Sequence, residues 1–141
     1  MLFVSLCLFL GAQAHGQSLS VKQLANLLDD DNKSALLKSK SFTSLGSGAA
    51  EKSVSQRFTK NAGTAKQEAI TITSNSISYL TRNKAFITNL LTQLQSHYKQ
   101  TVKDDNSDFA YYSFAAGKGK NISINISKTG ADLYSLQVNQ K

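Results

Sequence analysis

Apolar residues recur along this chain at two spacings, one helical and one alternating. Val21, Leu24, Ala25, Leu27 and Leu28 fall at i, i+3, i+4, i+6 and i+7, one face of a helix. Ser20 and Gln23 in front of them match a capping box, a Ser at the N-cap with a Gln three residues on. Asp29-Asp30-Asp31-Asn32 ends this helix. Carboxylates oppose the dipole at a helix C-terminus, so they fit better as the N-cap region of a second helix. That helix runs from Lys33 to about Lys40, with Leu36 and Leu37 as its apolar pair. The strongest helical pattern spans Asn83 to Tyr98. Phe86, Ile87, Leu90, Leu91, Leu94 and Tyr98 form its stripe, and Thr81 or Asn83 supplies its N-cap.

Alternation marks the strands. Val54, Gln56 and Phe58 share one parity, Ile70 and Ile72 the same, and Ile77 and Tyr79 the other. The switch across Ser74-Asn75-Ser76 calls for a bulge or a tight turn, because a one-residue slip exchanges the two faces. Ser44 to Ala50, SLGSGAA, reads as a flexible loop, and Lys99 to Asp108 as a polar one. Three strands close the chain: Phe109 to Ala115, Asn121 to Ser127 and a last one carrying Tyr134, Leu136 and Val138. Gly117-Lys118-Gly119 and Lys128-Thr129-Gly130 turn between them. Ile122, Ile124 and Ile126 alternate with Asn and Ser, which means one buried and one wet face and hence an antiparallel sheet. The fold class is α+β: a single antiparallel sheet with helices packed on one face, in the order α-α-β-β-α-β-β-β.

The N-terminus has its own pattern. Residues 2–10 are an apolar run broken only by Ser5, and no charged residue precedes Lys22. Ala12-Gln13-Ala14 offers the small residues that a signal peptidase requires. The run is roughly half of the ~20 residues that a membrane span needs. Residues 1–14 therefore read as a signal peptide and 15–141 as a single domain, secreted or periplasmic. The one Cys, Cys7, lies inside the signal, so the remaining chain has no disulfide and no thiol chemistry. The 40% apolar content of the full sequence is that of a globular chain rather than a disordered one.

Candidate chemistry is sparse. His97 ends the amphipathic helix, where an imidazole is compatible with the dipole, and no acid neighbours it in sequence. Asp29-Asp30-Asp31 and Asp104-Asn106-Asp108 lack the Gly and Glu of an EF-hand loop and read as solvated turns. Ser96-His97-Tyr98-Lys99 and Lys128-Thr129-Gly130 match two motifs of penicillin-recognising enzymes, but Ser96 ends a helix and no S-D-N triplet separates them. No catalytic residue, metal site or cofactor is expected. Asn32, Asn121 and Asn125 head glycosylation sequons, of which the last two are better read as polar strand residues.

The charge is the remaining feature. Sixteen Lys and Arg against nine Asp and Glu give +7. Outside the cytoplasm its partners would be an anionic polysaccharide, a lipid surface or an acidic protein rather than nucleic acid. Lys118, Lys120 and Lys128 at the hairpin ends, with Tyr111 and Tyr112 on the adjoining strand, are the expected ligand-binding patch.

Ile77-Ser78-Tyr79-Leu80-Thr81 before an amphipathic helix, then an aromatic strand, an alternating strand and Tyr134-Ser135-Leu136-Gln137-Val138, resembles small exported proteins of Bacteroidetes-type bacteria over the last two-thirds of the chain. The resemblance implies compartment and fold, not chemistry. The functional expectation is a non-enzymatic binding or interaction module. A secreted inhibitor of a partner protein comes second and a small hydrolase third. An aromatic-rich open sheet face would favour the first two, and a cleft joining His97 to an acid the third. Intact-mass measurement of the exported protein should give a mature N-terminus at His15 or a few residues later; a folded protein that retains Met1 would refute the signal.

Overall fold

The computed structural model describes residues 18–50, 53–130 and 132–141. The expected signal, with Cys7 and Ala12-Gln13-Ala14, and the expected mature N-terminus at His15 lie outside the described residues. Two short helices, α1 (Val21–Asn26) and α2 (Lys33–Ser39), precede four strands, β1 (Thr43–Ala50), β2 (Ser53–Lys60), β3 (Glu68–Ile72) and β4 (Ser76–Thr81). Helix α3 (Lys84–His97) leads to four more, β5 (Lys99–Asp105), β6 (Phe109–Gly117), β7 (Lys120–Ser127) and β8 (Tyr134–Gln140). All eight pair antiparallel in one sheet of order β1-β2-β3-β4-β8-β7-β6-β5. Two meanders thus meet at the β4–β8 ladder, and α3 carries the chain from the sheet centre to its far edge.

The α+β class and the single antiparallel sheet agree with the sequence; the expected order does not. The SLGSGAA loop is most of β1, and the polar loop from Lys99 begins with β5. Both are edge strands. Every residue of β5 is exposed, so no buried face imposes an alternation on it. The segment from Ile70 to Tyr79 is two strands rather than one. The parity switch is a tight turn, in which Thr73 N–H donates to Ser76 O at 2.9 Å and Ser76 N–H to Thr73 Oγ1 at 3.0 Å.

The helix boundaries follow their caps. Gln23 N–H donates to Ser20 Oγ at 3.2 Å and Ser20 N–H to Gln23 Oε1 at 2.9 Å, closing the capping box. Asn83 Oδ1 accepts from Ala85 N–H at 2.9 Å and starts α3. The acidic run does not cap α2. Asn32 holds the N-cap without a side-chain bond, and Asp30 Oδ1 accepts from Asn32 N–H at 2.8 Å in the turn before it.

One face of the sheet is the floor of the core. Phe58, Ile70, Tyr79, Leu136, Ile124 and Tyr112 stand in register across six strands. Ile72, Ile77, Val138, Ile122 and Phe114 form the next row. All are buried. Ile87, Leu90 and Leu94 of α3 belong to the same apolar cluster, and α3 lies against β4, β7 and β8. Helix α1 lies against α3, and α2 against β1. Leu24, Leu27 and Leu37 carry the two short helices into that cluster. Among the described residues no helix is long and apolar enough to cross a membrane.

Leu90 and Leu94 are fully buried. Leu90→Ala or Leu94→Ala should each cost about 2–5 kcal/mol in denaturant unfolding, as a truncated buried leucine does. A loss under about 0.5 kcal/mol for both would show that α3 does not pack on the sheet.

Candidate functional site

Among the described residues two charged side chains, Glu68 and Lys120, are buried on the core face of the sheet. Glu68 shares the parity of Ile70 and Ile72, and Lys120 that of Ile122, Ile124 and Ile126. Glu68 is 1% exposed and Lys120 8%. A buried charge is tolerated only when it is paired and hydrogen-bonded. Glu68 Oε1 accepts from Ser18 N–H at 3.0 Å and from Tyr79 Oη–H at 2.9 Å, and Oε2 accepts from Ser18 Oγ–H at 2.7 Å. Burial and then the Glu68 carboxylate push the Tyr79 phenol up, so it stays protonated and donates. Lys60 Nζ donates to Ser18 Oγ at 2.5 Å and to Lys40 O at 2.8 Å, which ties the same corner to the end of α2. Lys120 Nζ donates to Ala25 O at 2.9 Å and to Asp29 Oδ2 at 2.5 Å.

These contacts hold α1 from both ends. Glu68 grips Ser18 ahead of the helix and Lys120 grips the carbonyl and carboxylate at its far end. The signs match the helix dipole, negative at the start and positive at the finish. A third contact comes from α3, where Gln93 Oε1 accepts from Val21 N–H at 3.0 Å. Helix α1 is thereby fixed beside α3.

Between the two helices opens a groove of about 630 Å³. Lys22 and Asn26 line it from α1, and Gln93 and His97 from α3. Each pair is spaced i, i+4, so each helix presents one ridge to the groove. Val21, Ser20 and Tyr98 complete the lining. Lys22 and His97 are exposed at its rim, and Tyr98 is half-buried. Gln93 Oε1 is taken by Val21, which leaves its amide N–H groups for the groove. The described lining thus carries an ammonium, an imidazole and two amides, with no carboxylate beside His97.

The expected lysine–tyrosine patch does not assemble. Lys118 is exposed in a two-residue hairpin turn with φ of 50° followed by Gly119 at 72°, the pair of left-handed residues that such a turn needs. Lys120, two residues on, points to the opposite side of the sheet from the solvent and is spent on α1. Lys128 lies past the other end of β7, about 26 Å from Lys120 at the rise of a strand. Its Nζ bonds Asp105 Oδ1 and, at 2.6 Å, Asn106 O. Tyr112 is buried in the core, and its neighbour Tyr111 is half-buried on the other face. Alternation separates the two tyrosines for the same reason that it buries Lys120.

The acidic runs serve the chain itself. Asp29 pairs with Lys120 and Asp105 with Lys128, and Asn106 Oδ1 accepts from the N–H groups of Asp108 and Phe109. No cluster of three or more His, Cys, Asp or Glu able to hold a metal ion occurs among the described residues. The open face of the sheet carries Thr71, Ser78, Gln137 and Ser123 in register across β3, β4, β8 and β7. Its aromatic side chains among the described residues are Phe109 and Tyr111, so it is a polar face rather than an aromatic platform. Sequence reading missed Lys22, Asn26 and Gln93, because only the approach of α1 to α3 brings them together. No protein-family model matches the chain, and no curated protein or solved structure matches it.

The Asp29–Lys120 contact gives a pH-dependent test. The hydrogen bond from Lys120 holds the Asp29 carboxyl below its ordinary value of 3.8. A carboxyl depressed in the folded state adds stability above its unfolded pKa and loses it as pH falls through the lower, folded one. An NMR titration should therefore place the Asp29 midpoint below 3.8 in the native protein and return it toward 3.8 in Lys120→Met. An unchanged midpoint would mean that the ion pair does not form in solution.

Proposed function

We propose that this protein is a non-enzymatic exported binding module, secreted or periplasmic, which takes an anionic partner at the groove between α1 and α3. The observation that carries this reading is the lining: Lys22 and His97 converge on one open groove with two side-chain amides and no carboxylate among the described residues. Anionic groups are recognised by such charge-assisted donors. The +7 charge of the chain raises the local concentration of anions and speeds their encounter. A hydrolase reading would need an acid to orient or activate His97, and the groove sets amides, hydroxyls and a lysine beside it instead. An inhibitor acting through an aromatic sheet face has less support, because Phe109 and Tyr111 are the aromatic side chains of that face among the described residues and Ser, Thr, Asn and Gln make up most of it.

Immobilised dextran sulfate is a suitable probe. The wild-type protein should be retained at low salt and released as ionic strength rises, since exposed charges are screened beyond about 8 Å at physiological salt. Lys22→Glu combined with His97→Gln should elute clearly earlier than Lys118→Glu, which makes a similar charge change away from the groove. Equal elution of the two variants would show that net charge alone governs retention and would overturn the groove as the site.

A further inference from the structure

We infer that the groove between α1 and α3 takes a small amphiphilic anion, a single carboxylate or sulfonate head on an aryl or short acyl body, more tightly than it takes a stretch of a polymeric polyanion. The inference rests on the proposed anion-binding role of the groove and names the class of its ligand.

Size is the first argument. A volume of about 630 Å³ falls within the roughly 300–1,000 Å³ of sites that enclose one drug-sized molecule. The second is how the charge is distributed. A polymer with repeated charges needs cations spaced along its track. Lys120 and Lys128 are committed to Asp29 and Asp105, and Lys118 stands apart at a hairpin tip. The described groove lining holds one lysine, Lys22, whose ammonium shares a single opening with the His97 imidazole. The third is the mixed character of the walls. The half-buried Tyr98 ring supplies apolar surface, whereas Lys22, Asn26, Gln93 and His97 supply polar groups. An aryl or acyl body laid along Tyr98 would leave its acidic head at Lys22 and His97. The Gln93 amide, already oriented by its bond to Val21 N–H, would add an N–H to the head without having to be ordered on binding.

The fluorescent probe 8-anilinonaphthalene-1-sulfonate and its uncharged analogue N-phenyl-1-naphthylamine share an aromatic body and differ in the sulfonate. The sulfonate probe should bind saturably, one per chain, and shift the amide resonances of Lys22, Asn26, Gln93 and His97. The neutral analogue should bind at least roughly tenfold more weakly, as should the sulfonate probe to Lys22→Glu, since a charge-assisted contact is worth about 1.5–3 kcal/mol. Lys118→Glu should bind as the wild type does. Far-ultraviolet circular dichroism on each variant checks that the fold is kept. Equal binding of the two probes in the groove would overturn the anionic head. Groove resonances that respond to dextran sulfate but not to the sulfonate probe would overturn the small amphiphile and leave the anion-binding role standing. No response of the groove to either anion would overturn both.

Discussion

Helix α1 has six residues, too few to persist on backbone hydrogen bonds alone. It exists because the sheet reaches up to it with one acid and one base. Glu68 fixes Ser18, and Lys120 fixes Ala25 and Asp29, so the helix lies at a set angle across the core. The two strands that supply these side chains, β3 and β7, occupy equivalent places on either side of the central β4–β8 ladder. The groove depends on the same arrangement, for its α1 wall is held by this clamp, the bond to Gln93, the capping box and the burial of Leu19, Val21, Leu24, Ala25 and Leu27. A buried charged group held by its partners gains little net stability over apolar packing, and losing a partner leaves it uncompensated. Here such groups define one position for a short helix that apolar contact alone would leave free to slide.

What was legible in the sequence is what a one-sided core writes into it. The stripe from Phe86 to Leu94 and the alternation of Ile122, Ile124 and Ile126 report directly which atoms leave water. Edge strands write no such record. In β1 the residues are small and uncharged, and β5 is exposed along its whole length, so neither shows the period by which a strand is recognised. The split of the Ile70–Tyr79 segment was half legible: the parity switch across Ser74-Asn75-Ser76 allowed a bulge or a tight turn, and the tight turn makes β3 and β4 a hairpin.

The buried charges show the limit of reading residues by type. Alternation puts Lys120 on the isoleucine face and Glu68 on that of Ile70 and Ile72, whereas the sequence reading followed charge and set Lys120 in a solvent-facing patch. Periodicity was the better guide in both instances, because a strand cannot rotate one side chain outward without breaking its ladder. The same rule parts Tyr111 from Tyr112. The groove residues lay beyond any such rule: Lys22 and His97 are separated by a long stretch of chain, and nothing local to either announces the other.

The two rims of the sheet differ in how they meet another molecule. Strand β5 carries Lys99, Lys103, Asp104 and Asp105 within seven residues, and such a rim repels or misaligns an incoming strand. Strand β1, with the sequence TSLGSGAA, carries no charge at all and leaves Leu45 63% exposed. Its protection is a bulge between Ser44 and Gly46, which interrupts the ladder near one end only. In a crowded compartment self-association would therefore be polar rather than symmetric, beginning at the β1 rim and meeting a charged barrier at the other.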